Sequence, residues 1–216
     1  MIPLPIKFLT LNINFKGLDN NRAQNIVALI EQNNPDIIFL QEVPRSMIDN
    51  FRIPNYSQIG QHSSNHQYDT IILSRFPCLR YDRIPLPETL SSRNLLLAQI
   101  ILPEEDSQII FAGTFHLESF FNPPESEVLK MDQFLFIRSI IPKNKPFIIA
   151  GDTNFLDNQM TSIDNFPEHD SSPTYKKSRF DRIFTNLSAS SPAQIIGDAT
   201  HSDHRGLVIS INLPAQ

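Results

Sequence analysis

The sequence predicts an α/β fold in which parallel crossovers and antiparallel neighbours occur together, and three observations predict it. An apolar β-rich segment, an amphipathic helical segment and a second apolar run open the chain, which is a β-α-β beginning. Short apolar runs then follow one another, separated by polar or turn-forming residues, as antiparallel strands do. A second helical pattern leads into a last group of strands.

Taken in order, IKFLTLNI (Ile6 to Ile13) is the first strand. After a polar loop, Ala23, Ile26, Val27 and Ile30 recur at helical spacing. DIIFLQEV (Asp36 to Val43) is continuous enough to be buried on both faces. YDTIILS (Tyr68 to Ser74), LLLAQIIL (Leu95 to Leu102) and QIIFAGTF (Gln108 to Phe115) are further strands. The second helix is expected to begin with Asn122 as cap, Pro123 in its first turn and Glu125 reaching back, and to bury Val128, Met131 and Leu135. It leads into IIAGDTNF (Ile148 to Phe155), then a polar irregular stretch, then FDRIFT (Phe180 to Thr185) and GLVISIN (Gly206 to Asn212).

Bulk properties narrow the function. The 216 residues, 40% apolar and 19% charged, suit one domain spanning 1–216. No apolar run is long enough to span a membrane, and prolines interrupt the N-terminal MIPLPIKFLT where a signal peptide needs a helical apolar stretch, so a cytoplasmic protein is expected. The lone Cys78 cannot form an internal disulfide and reads as a small packed side chain. A net charge of −5 argues against coating nucleic acid by electrostatics alone. A local basic groove stays open through Lys176, Lys177, Arg179 and Arg182, with Arg93 and Arg205 near other motifs; a solvated positive face is the plainer reading.

The informative pattern is that strand after strand ends or starts on a residue able to bind metal or phosphate. Asn12 closes the first strand, Glu42 the second, His116 follows QIIFAGTF, and Asp152 with Asn154 follows PFIIA. Asp181 opens FDRIFT, and Asp203 with His204 precedes GLVISI. In strands of alternating direction, the ends of some share a rim with the starts of others, where sheet proteins place sites. Each residue has a plainer reading: a turn at Asn12, a solvated strand end at Glu42, a core histidine at His116, an Asx-turn at Asp152 and Asn154, a surface ion pair of Asp181 with Arg179 or Arg182, and a turn cap at SDH.

As a set, these residues suit attack by water on a phosphodiester. Mg²⁺ takes few protein carboxylates, so Glu42 could suffice as a direct ligand. Asp152 could orient or deprotonate the water, Asn154 could hold a phosphate oxygen, and His204 beside Asp181 could stay cationic and stabilise transition-state charge. The chain has no GxSxG, P-loop or CxxC, which leaves little support for nucleophilic hydrolases, P-loop enzymes and zinc ribbons.

In this order and spacing, LTLN, IIFLQEV, GTFHLES, GDTN, FDRIF and SDH resemble the endonuclease/exonuclease/phosphatase (DNase I-like) superfamily. Within it, TLNINFKGLD, SSRNLLL, TFHLES, GDTNFLD, SRFDRIF and SDHRGL are most similar to the tyrosyl-DNA phosphodiesterase type II family. The resemblance implies a four-layer α/β sandwich with two packed mixed β-sheets flanked by helices, Mg²⁺ with Mn²⁺ able to substitute, and in-line attack by activated water. It also implies Glu42 on the metal, Asp203 supporting it, Asn12, His116 and Asn154 around the phosphate, Asp152 with His204 in hydrolysis, and Asp181 orienting His204. The implied substrate is a 5′-tyrosyl DNA end or related DNA-peptide adduct, acted on by a monomer. Leu11 and Leu156 stand where that family tends to have tryptophan and arginine, and the resemblance puts Tyr175 at the family's aromatic position before FDRIF. The alternatives are the same site acting on inositol phosphates, phospholipids or nucleotides, and a binding module that keeps the fold without turnover.

Overall fold

The computed structural model describes residues 5–61, 67–103, 108–119, 125–157, 159, 168–169 and 172–213. Strand β1 (Ile6–Asn12) leads through helix α1 (Asn20–Asn33) to β2 (Ile37–Pro44), which pairs with β1 in parallel. Asp19 starts α1 by accepting from the Arg22 N–H, and Asn34 ends it in the left-handed region with its N–H on the Ile30 and Glu31 carbonyls. A 3₁₀ turn (Arg45–Phe51) precedes β3 (Ser57–Ile59), β4 (Tyr68–Ser74), β5 (Cys78–Pro85), β6 (Asn94–Ile101) and β7 (Ile109–His116). Helix α2 (Glu125–Ile140) then crosses to β8 (Phe147–Asp152), parallel to β7. The short β9 (Glu168–His169), β10 (Asp181–Thr185), β11 (Ser188–Ala189), β12 (Gln194–Ile196) and β13 (Gly206–Asn212) complete the chain.

These strands form two mixed sheets. The first runs β11-β13-β1-β2-β4-β3, with β12 also on β13, and the second runs β5-β6-β7-β8-β10-β9. Their facing sides share one core in which Phe8, Phe39 and Ile209 meet Ala98, Ile110 and Ile148. The outer face of the first sheet buries Leu11 and Leu40 against Ile26 and Ile30 of α1. The outer face of the second buries Phe115 and Ile149 against Phe134 and Ile137 of α2. Helix, sheet, sheet, helix is the expected four-layer sandwich. Burial on both faces explains why the central strands read as continuous apolar runs.

One expectation needs correction, and one strand went unanticipated. Val128 and Leu135 are exposed and Met131 only partly buried, because α2 turns Lys130, Gln133, Phe134 and Ile137 inward instead. Strand β5 gave no apolar signal because it is a sheet edge with most side chains exposed, and charges such as Arg80 and Asp82 suit an edge. The expected cap residues Asn122 and Pro123 lie outside the described residues.

Topology builds the rim. Since β1, β2, β7 and β8 run one way, and their neighbours β4, β6, β10 and β13 run antiparallel to them, the ends of the first group adjoin the starts of the second. Just below the rim, Gln41 Nε2 spans the sheets, donating to Thr10 Oγ1 at 3.1 Å and to Thr114 Oγ1 at 2.8 Å. Gly151 permits the close approach of β8 to β7: a Cβ there would stand 1.9 Å from the Phe115 carbonyl oxygen.

Candidate active site

The centre of the rim is Asn12. Its Nδ2 donates to Asp152 Oδ2 at 2.9 Å and to Glu42 Oε1 at 3.3 Å, joining the ends of three strands from both sheets. Its Oδ1 accepts from the Asn14 N–H, so one end of the amide makes a turn while the other binds the site. Asp152 divides its labour similarly: Oδ1 accepts from the Asn154 N–H at 2.8 Å in an Asx-turn, while Oδ2 faces the Asn12 amide and two histidines. The SDH turn is also real, with the His204 N–H on Ser202 Oγ at 3.1 Å. The plain turn readings and the site readings therefore describe the same residues.

Glu42 and Asn154 both have left-handed backbones, with φ of 58° and 51°. Such conformations are sparse for non-glycine residues and cluster at functional sites. At Glu42 this falls at a register shift in the β2–β4 ladder, and the carboxylate accepts from the Phe15 N–H while lining the cleft.

Two histidines flank Asp152. His204 Nδ1 lies 2.8 Å from Asp181 Oδ2, and its Nε2 lies 3.7 Å from Asp152 Oδ2. Burial disfavours its charge, but Asp181 and Asp152 outweigh that and push its pKa up to about 10. His116 Nε2 lies 3.4 Å from the same Asp152 oxygen and 3.8 Å from Glu42 Oε1. Its Nδ1 is 2.7 Å from Arg93 Nη1; a guanidinium can only donate, so Nδ1 accepts and the ring proton sits on Nε2, facing the carboxylates. Burial, with Arg93 and His204, holds His116 well below its ordinary range, so it is neutral. Burial also pushes Asp152 up to about 6, with Asp181 adding to the rise and His204 opposing it.

A cleft of about 360 Å³ opens beside these groups. On one wall Phe15 stacks on Tyr68 at 4.2 Å, with Lys16 over Phe15 and Arg93 over Tyr68. On the other, Tyr175 stacks on Phe180 at 5.0 Å and lies 4.6 Å from His204, with Lys176 over its ring. The basic cluster divides: Lys176 and Lys177 are exposed, Arg179 pairs with Asp157, and Arg182 is fully buried. Asp181 is likewise buried and pairs with His204, not in a surface ion pair with its arginine neighbours.

Asp152, Asp181 and His204 offer ligand atoms within 4.8 Å of one another, so a possible metal-binding cluster exists. The His204 proton opposes direct ligation there, since a cationic ring has no lone pair to give. Glu42 and Asp203 line the cleft with carboxylate oxygens, the donor type a hard cation prefers.

All eight expected residues lie at this rim, with Asp203 the exposed one on the cleft wall. Leu11 is buried under α1, away from the cleft, while Leu156 is at the surface with its N–H on Gln159 Oε1. Tyr68, Asp69 and Glu118 were not anticipated. Tyr68 and Asp69 open β4 as Asp181 opens β10, so the same strand-start rule would have found them. Glu118 is buried and its carboxylate accepts from the Leu90 and Ser91 N–H groups and the Ser91 hydroxyl, tying down the loop before Arg93. That role depends on a long-range contact with no local signature.

Residues 9–204 match the family described as the Endonuclease/Exonuclease/phosphatase family. The tyrosyl-DNA phosphodiesterase 2 of Danio rerio is 26% identical over 218 residues, covering 86% of this chain and 58% of that protein. The Homo sapiens protein of the same name is 29% identical over 177 residues, covering 75% and 46%. The chain thus spans about half the length of these relatives. A crystal structure of humanized D. rerio TDP2 carrying 14 mutations superposes with a TM-score of 0.80 at 25% identity, covering 96% of this chain and 99% of that one.

Proposed function

From the premise that this chain belongs to the endonuclease/exonuclease/phosphatase family, we propose that it is a Mg²⁺-dependent phosphodiesterase, a monomer acting on 5′-tyrosyl DNA or a related nucleic-acid 5′ end. The observation that carries the proposal is the Asn12 amide bridging Glu42 and Asp152 between a cationic and a neutral histidine. The resemblance to proteins named tyrosyl-DNA phosphodiesterase 2 supports the substrate class.

Asp152 Oδ2 takes the proton of the attacking water. Asn154 Nδ2 and the His116 Nε2 proton orient the phosphate without adding negative charge, while Asn12 beside them commits both amide protons to Asp152 and Glu42 and holds those carboxylates in place. His204 stays protonated because Asp181 faces its other nitrogen, and it stabilises charge gathering on the phosphoryl oxygens. Glu42 and Asp203 would hold the cation, which when bound screens phosphate charge and polarises the phosphoryl group. A tyrosine leaving group is a phenolate with a reference pKa near 10, so the site has less need of a strong acid opposite the water.

One observation favours a second reading, a small phosphoester such as an inositol phosphate, phospholipid headgroup or nucleotide. Arg179 and Arg182 engage Asp157, which reduces the basic surface available to a long polyanion. A panel of 5′-tyrosyl DNA, abasic DNA, RNA, inositol phosphates and sphingomyelin, run with Mg²⁺ and with chelator, separates the two. Turnover of the tyrosyl substrate well above the others is expected. Turnover of a non-nucleic substrate alone would replace this reading with the second, and none on any member would refute both.

A further inference from the structure

The inward side of α2 carries two polar groups that the proposed chemistry does not use. Lys130 and Gln133, three residues apart and so on one face, are both fully buried. A buried ammonium is unfavourable unless its donors find partners. Lys130 Nζ donates to the Asn154 carbonyl at 2.9 Å and lies 5.6 Å from the centre of the Phe155 ring. Burial draws its pKa below the usual lysine value, while Glu127 and Asp152 oppose that. Gln133 is engaged at both ends: Nε2 donates to the Pro87 carbonyl at 3.2 Å, and Oε1 accepts from the Glu118 N–H at 3.0 Å. One turn of helix therefore holds the loop of Asn154, the loop after His116 and the loop leading to Arg93.

We propose that Lys130 and Gln133 are positioning residues, through which α2 acts as a strut that holds Asn154, His116 and Arg93 at the cleft. Asn154 needs such support. Its left-handed φ of 51° is intrinsically unfavourable, and that conformation accompanies a carbonyl on Lys130, an N–H on Asp152 and an Nδ2 on the Leu117 carbonyl at 3.2 Å. Without the ammonium, a buried carbonyl loses its partner and the turn relaxes toward an ordinary conformation, carrying Asp152 with it. Leucine at either position would fill the core but hold none of these loops. Polar residues on the buried face are what this role requires.

The kinetic arm of the test rests on the proposed phosphodiesterase activity; the exchange arm does not. Lys130→Met, Lys130→Arg, Gln133→Leu and the core control Ile137→Val are compared for kcat, KM and Tm on the best substrate of the panel, and for amide hydrogen exchange at Asn154, Phe155 and Glu118. Lys130→Met is expected to lower kcat ~10- to 100-fold with KM little changed, the range a small misplacement can produce. Exchange at Asn154 and Phe155 should accelerate, and Lys130→Arg should recover most of both losses. Ile137→Val should lower Tm and leave kcat at the wild-type value. Gln133→Leu removes no charge and makes the same test at Glu118 should Lys130→Met fail to fold. Wild-type kcat and wild-type protection in Lys130→Met would overturn the proposal, as would a kcat loss that Ile137→Val reproduces. If the wild type hydrolyses no phosphodiester, the functional reading falls and the exchange arm alone decides: unchanged protection overturns the strut, and lost protection upholds it.

Discussion

His116 and His204 approach the same oxygen of Asp152 from different sheets, at 3.4 and 3.7 Å, yet His204 is cationic and His116 neutral. Both are deeply buried, so burial does not separate them. What differs is the group on the far nitrogen: a carboxylate, Asp181, behind His204, and a guanidinium, Arg93, behind His116. A rim histidine is cationic or neutral according to the residue behind its far nitrogen: Asp181, which opens β10, or Arg93, which immediately precedes β6. The distinction lies in topology more than in the histidines' own sequence surroundings.

The largest effect should come from the residue the two histidines share. Asp152→Asn is expected to lower kcat by ~10²- to 10⁴-fold, the span typical of a positioned general base, with the far-ultraviolet circular dichroism unchanged. Next is Asp181→Asn, which removes the first charge holding His204 protonated. A loss of ~10²- to 10³-fold in kcat is expected, as for a removed oxyanion donor. In the wild type kcat/KM should rise as Asp152 ionises near 6 and fall as His204 deprotonates near 10. In Asp181→Asn the falling limb should move to lower pH, and a limb that stays in place would break the comparison.

The converse substitution, Arg93→Gln, should raise the His116 pKa by removing a cation, which ring-proton NMR in metal-free protein would follow. A loss of ~10-fold in kcat is expected for this single support. Stability offers a separate check. The folded-state pKa of His204 is raised, so its contribution is complete below its unfolded value of 6.5 and is lost as pH rises through about 10. The Tm of His204→Gln should consequently fall less over that interval than that of the wild type. The smallest effect is expected from Lys176→Glu with Lys177→Glu, a few-fold rise in KM for a DNA substrate that salt masks, with none for a small aryl phosphodiester.

Much of this was legible in the sequence because the central strands are buried on both faces and end abruptly on polar residues. YDTIILS and GLVISIN coincide with β4 and β13 residue for residue. The placement of the candidate site was legible for the same reason: Asn12, Glu42, His116 and Asp152 stand where apolar runs stop. The α2 face was not, because hydrophobic periodicity places lysine and glutamine outside, whereas Lys130 and Gln133 are drawn inward by carbonyl groups of distant loops. Nor could periodicity reveal Glu118 under the loop before Arg93, or the neutrality of His116, both of which depend on contacts spanning more than twenty residues.

The most direct measurement is release of tyrosine from a 5′-tyrosyl oligonucleotide by wild-type protein and by folded Asp152→Asn and Glu42→Gln variants, each with Mg²⁺ and with chelator. Full turnover is expected only of the wild type with metal, with both variants at least ~10²-fold slower. Equal turnover in either variant, or turnover that survives chelation, would contradict the proposed function.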